Sequence, residues 1–155
     1  MQKNTEKKIK ILVLNGPNLN MLGHRDPVYY GRLTLDKLNK LIRQKAQELN
    51  VDIKFYQTNH EGNLVTLIQR QRKYVDGILL NAGAYTHTSI AIRDAIELIK
   101  IPVVEVHLSD INAREPFRRV SLIHDVCIAT FSGEKEQSYL KGLEFLVNKI
   151  RTENL

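Results

Sequence analysis

IKILVLNGPNLNMLGHRDPVYYG, residues 9–31, decides how this chain is read. Its first part, Ile9 to Leu14, is a mostly aliphatic run ended by Asn15-Gly16-Pro17, the pattern of a strand covered on both faces in a parallel sheet. In open α/β sheets the loop leaving the carboxyl end of the first strand helps to build the ligand crevice. Here that loop carries Asn15, Asn18 and Asn20 as amide hydrogen-bonders, then Arg25 and Tyr30, a cation and a phenol, bracketed by Gly23 and Gly31. A segment of that composition is expected to act as a lid with reactive cargo.

Working outward, four more strands are expected: Val51 to Gln57, Asp76 to Asn81, Pro102 to His107 and Val126 to Phe131. Helical patterns lie between them. Leu35, Leu38, Leu41, Ile42, Ala46 and Leu49 recur at helical spacing behind Thr34, an N-cap candidate, and the helix is expected to stop near Asn50. A second helix is expected around Leu64 to Ile68, a third from Ser89 to Ile99, a short fourth from Arg114 to Val120, and a last one that buries Tyr139, Leu140, Leu143, Leu146 and Val147. Right-handed crossovers between parallel strands then favour an α/β, three-layer doubly wound domain with a five-stranded parallel sheet in the flavodoxin-like order 2-1-3-4-5. Residues 9–155 read as one catalytic domain and residues 1–8 as an amino-terminal tail.

The 155 residues are 43% hydrophobic and 26% charged, which is ordinary for a globular domain. Cys127 is the one cysteine, so no internal disulfide forms, and its apolar surroundings in sequence mark it as a small buried hydrophobe. No apolar run is long enough for a membrane span and the amino terminus lacks a signal-peptide core, so no membrane partner and a cytoplasmic location are expected. The net charge of +6 is scattered, and 6% aromatic residues with no Trp leave little for base stacking. No nucleic-acid partner is expected; an anionic small substrate accounts for the positive field.

The chemistry-bearing residues are phased to the carboxyl ends of strands. In Glu105-Val106-His107, residues two apart share a face, so the carboxylate can orient the imidazole and favour its acid form. Asn81 to Ser89 is a small-residue turn opening onto a helix. Thr86, Thr88 or Ser89 suffices to cap that helix, but capping explains neither Asn81 nor His87, which suit a hydroxylated anion. After His107, Leu108 and Ser109 offer backbone donors. Of the two following arginines only Arg118 is assigned to ligand, a surface salt bridge with Glu115 being the default for at least one of them. Asp94 reads as a solvated or interface charge. In the lid, a phenol with an ordinary pKa of about 10 becomes a competent base only beside a cation, and Arg25 is the candidate for Tyr30. Dinucleotide, Walker and nucleophile-elbow patterns are absent. His24, His60, His87, His107 and His124 form no tight ligand spacing, although His60, His87 and His107 are free to converge in space, and no metal is expected. A silent binding protein for hydroxylated ring carboxylates and a nucleotide-binding module both stay open on these residues alone.

Taken in order, NGPNLNMLGHRDPVYYG, QTNHEG (57–62), NAGAYTHTSIAIRDA (81–95) and EVHLSDINAREPFR (105–118) resemble the type II 3-dehydroquinate dehydratases over almost the whole chain. The resemblance implies a metal- and cofactor-free hydro-lyase of the shikimate pathway of aromatic amino acid biosynthesis, which takes 3-dehydroquinate to 3-dehydroshikimate through an enolate. By position it implies Tyr30 as base, Arg25 as its activator, Asn18 as holder of the water that stabilises the enolate, and His107 as general acid supported by Glu105. It implies Asn81, His87, Leu108, Ser109 and Arg118 as substrate-binding residues. It also implies a homododecamer of four trimers in which Asp94 reaches a neighbouring subunit's site. Asp110 stands where the family usually has Asn, and Ser132 to Ser138 is more charged than the family pattern.

Overall fold

The structure, a computed structural model, describes residues 7–154. Five strands, β1 (Lys10–Asn15), β2 (Asp52–Gln57), β3 (Gly77–Asn81), β4 (Val103–Val106) and β5 (Ala129–Phe131), form one parallel sheet in the order β2-β1-β3-β4-β5. This is the expected arrangement. The residues of β1 from Ile11 to Leu14 are wholly buried because both faces are covered. Ile11 and Val13 enter one apolar layer with Leu38, Ile42 and Leu143; Leu12 and Leu14 enter the other with Leu64, Ile68 and Ile92. The period-two alternation of a single strand therefore divides its side chains between two cores.

Helices α2 (Leu35–Glu48) and α5 (Glu136–Glu153) cover the first face, and α3 (Glu61–Gln71) and α4 (Ile90–Ile99) the second. Caps fix where two of them begin. Thr34 Oγ accepts from the Lys37 amide at 3.2 Å, and Ser89 Oγ from the Ile92 amide at 3.0 Å. A one-turn helix, α1 (Pro27–Tyr30), lies inside the lid. Its signal is local: the Asp26 carboxylate accepts from the Val28 amide at 3.0 Å, and Pro27 occupies the first helical position, where its missing N–H costs nothing.

Two sequence expectations are corrected. No helix spans Arg114 to Val120; the chain instead makes short 3₁₀ turns at Ile111–Ala113 and Pro116–Arg118. Pro116 cannot donate within a helix and drives the preceding Glu115 into extended backbone, with φ −58° and ψ 150°. Strand β5 starts at Ala129 rather than Val126. The amides of Val126 and Cys127 are spent on the Ile123 carbonyl, at 3.2 and 3.1 Å, so pairing with β4 starts only when Ile128 donates to Val103 at 2.9 Å.

Candidate active site

The loops at the carboxyl ends of β1, β3 and β4 meet at one edge of the sheet, and backbone ties the first two together. Gly16 donates to the Asn81 carbonyl at 2.7 Å, and a Cβ on Gly16 would stand 2.6 Å from the Ala82 oxygen. Only glycine allows that approach. The QTNHEG segment acts as a brace. Asn59 Oδ1 accepts from the Asn18 amide at 3.0 Å, holding Asn18 in a left-handed conformation (φ 67°), and Gln57 Nε2 donates to the Gly16 carbonyl at 3.1 Å.

These loops and the lid enclose a cavity of about 110 Å³ lined by Asn18, Arg25, Tyr30, Asn81, His87, His107, Leu108, Ser109, Arg114 and Arg118, among others. Its volume is on the scale of one small ring. All the sequence-derived site residues line it except Glu105, which lies behind His107, and Asp94, which is exposed on α4 outside the cavity of its own chain. His60 is at the N-cap of α3 and does not join His87 and His107 in the cavity lining. Among the described residues, no group of three His, Cys, Asp or Glu side chains is placed to hold a metal ion.

On the lid side, Arg25 Nη2 donates to the Tyr30 hydroxyl oxygen at 2.6 Å, with its guanidinium also 3.6 Å from the ring centroid. Arg114 Nη1 donates to the same oxygen at 2.8 Å and lies 4.2 Å from the Tyr29 ring. Two cationic donors converging on one phenolic oxygen stabilise negative charge there. Burial, assisted by Arg114 and Arg118, lowers the Arg25 guanidinium from its usual range, opposed by Tyr30. An arginine remains charged under such a shift.

Arg114 is a cavity residue that sequence reading did not assign to ligand. Both arginines reach Glu115: Arg114 Nε lies 3.8 Å from Oε2, and Arg118 Nε 2.9 Å from the same oxygen without hydrogen-bond alignment. Arg118 also lines the cavity. The spacing of the two arginines carried no signal to separate them.

On the sheet side, Glu105 has no exposed surface and His107 only 5%. His107 Nε2 is 2.5 Å from Glu105 Oε2, which leaves Nδ1 as the nitrogen available to a ligand. Burial alone would push the Glu105 carboxyl up. Donors from His107, Ser121 (2.8 Å) and Thr130 (3.0 Å) outweigh it and hold the carboxyl below the usual range. The site therefore keeps an ionised counter-charge behind the imidazole.

Polar groups of fixed direction complete the cavity. Asn81 Oδ1 accepts from the Gly83 amide at 3.0 Å, and its Nδ2 donates to the Tyr139 hydroxyl at 2.7 Å, which passes its own proton to Asn15 Oδ1 at 2.6 Å. Burial pushes the Tyr139 hydroxyl up, so it stays a donor. Sequence reading placed Tyr139 in the core but missed this role; a buried tyrosine's need for a partner was the available signal. His87 Nδ1 is 2.8 Å from the Val120 carbonyl, and burial, opposed by that bond, lowers the imidazole. The neutral ring therefore donates through Nδ1 and keeps Nε2 as an acceptor for a hydroxyl.

The geometry has counterparts of known kind. A family model described as dehydroquinase class II matches residues 9–147. The chain is 56% identical over 141 residues to the 3-dehydroquinate dehydratase of Trichodesmium erythraeum (strain IMS101), covering 91% of this chain and 94% of that one. It is 53% identical over 143 residues to the 3-dehydroquinate dehydratase of Geotalea daltonii, covering 92% and 99%. Among solved structures, the type II dehydroquinase of Butyrivibrio crossotus DSM 2876 superposes with a TM-score of 0.88 at 40% identity, covering 90% of this chain and 97% of that one. With the match running through the lid, the strand-end turns and the acid-bearing strand, the chain belongs to the class II dehydroquinase family.

Proposed function

We propose that this cavity converts 3-dehydroquinate to 3-dehydroshikimate by loss of water, as a step of the shikimate pathway. Tyr30 oxygen, charged and held by Arg25 and Arg114, takes the proton alpha to the ketone, and the C–H electron pair moves into an enolate. A water held by Asn18 stabilises the enolate oxygen. The enolate then collapses, the C–O bond breaks, and His107, backed by Glu105, gives its Nδ1 proton to the departing hydroxyl, which leaves as water. Asn81, His87, the Leu108 and Ser109 amides and Arg118 hold the ring's hydroxyls and carboxylate. Neither amide has an acceptor among the described residues, as expected of donors kept for a ligand.

The observation that carries this reading is the joint lining of one cavity by a doubly cation-bound phenol and a carboxylate-backed imidazole. Purified protein mixed with 3-dehydroquinate after exhaustive chelation should give the ultraviolet rise of the conjugated product. Binding without product would mark a silent binding protein, and loss of the rise on chelation would bring in a metal.

The same reading includes a cytoplasmic dodecamer of four trimers, with Asp94 entering a neighbour's cavity. Its support is that Asp94 is exposed and lies away from its own chain's cavity. Sedimentation at the dodecamer mass tests the assembly. An Asp94→Ala variant of raised KM and intact assembly tests the crossing.

A further inference from the structure

Glu105 connects to more than the acid. Its two oxygens serve different groups: Oε2 accepts from His107 and Ser121, while Oε1 accepts from the Thr130 hydroxyl at 3.0 Å. Thr130 Oγ in turn lies 2.9 Å from Nδ1 of His124, whose side chain is 68% exposed. A hydroxyl has one proton, and an ionised carboxylate can only accept. Thr130 therefore donates to Glu105, and His124 Nδ1–H is the donor to Thr130. The result is a directed chain of hydrogen bonds from solvent to a carboxylate that has no exposed surface.

This chain is badly placed to feed protons. It ends on Nε2 of His107, whereas the nitrogen available to the ligand is Nδ1. Its effect is on charge. A donor on Oε1 draws negative charge away from Oε2, so the carboxylate holds the imidazolium less firmly. The other ionisable groups around the pair leave this arm room to act. His87 and Arg118 face it from the cavity, Asp125 on the far side is bound to Arg93, and burial pushes the Cys127 thiol up, keeping it neutral.

We propose that Thr130, oriented by His124, is a positioning residue for the acid, acting through Glu105 to set how firmly His107 holds the proton it donates. The proposal rests on the dehydratase reading above. Thr130→Val keeps the side chain's shape on β5 and removes the donor. In the full-length protein its kcat should stay high to an alkaline pH about one unit above that of the parent, because the stronger counter-charge keeps the imidazole protonated. The plateau should fall several-fold while KM stays within about twofold. Thr130→Ser should restore the parental profile, and His124→Ala should move the alkaline limb in the same direction by less.

A Thr130→Val profile that superimposes on the parent, a serine variant that behaves like valine, or a change confined to KM would overturn the proposal. NMR titration of the His107 imidazole should show the same upward shift in Thr130→Val without any turnover. Absence of product from the parent protein would therefore count against the dehydratase reading, and absence of the NMR shift against this arm.

Discussion

The two halves of the cavity are built in opposite ways. The His107 half, which includes Glu105, stands at the end of an interior strand, with almost no exposed surface and a carboxylate filled by three donors. The Tyr30 half stands on the loop after β1, where no residue of α1 is buried and Tyr30 is held by side chains from Arg25 and Arg114. The first is built on the sheet; the second rests on side-chain contacts between loops. Local opening of a loop costs far less than global unfolding, so the Tyr30 half is the less firmly held of the two.

Substitutions can break this contrast, starting with the largest effect. Tyr30→Phe and His107→Ala should each lower kcat by about 100-fold or more with the fold intact, since each deletes a proton-transfer group. Steady-state kinetics alongside circular dichroism checks this, and near-normal turnover in either variant removes its assigned role. Glu105→Gln should lose activity and also destabilise the fold by about 2 kcal/mol, because the donors around it were arranged for a charge. In the parent protein the Glu105 carboxyl is held below its ordinary value of 4.5. Its stabilisation is therefore complete above that value and lost as the pH falls through the lower folded-state value. Urea melts across the acid range should show a shallower loss of stability in the glutamine variant.

Arg114→Lys keeps the charge but loses the planar fork that reaches Tyr30 and stacks on Tyr29. Turnover should fall about tenfold or more, with the melting temperature unchanged. A lysine variant of full activity would leave Arg25 as the sufficient partner of the phenol. The smallest effect is expected from Asp26→Ala. It removes the cap of α1, worth about 1 kcal/mol locally. Turnover should drop a few-fold while global stability holds; a clear loss of global stability would mean that the lid is part of the cooperative core.

The same contrast explains what could be read in the residues alone. Strand order and the acid pair were legible, because buried parallel strands read as apolar runs and Glu105 and His107 sit two apart on one of them. The loop's placing of Arg25 and Tyr30 at the cavity was legible, but α1 was not, although Asp26-Pro27 carried its signal. Arg114 and Thr130 were invisible for a different reason. Each meets its partner across long sequence separation, Arg114 to Tyr30 across 84 positions and Thr130 to Glu105 across 25, and no local period reports such a meeting. The false helix at Arg114 to Val120 has a local cause, since Pro116 should have broken it at once.

One guanidinium, that of Arg114, both grips the lid through Tyr29 and completes the cation pair on Tyr30. Latching and arming are then a single event. Any displacement of Arg114 therefore slackens the loop and strips the phenol of one cation at the same stroke.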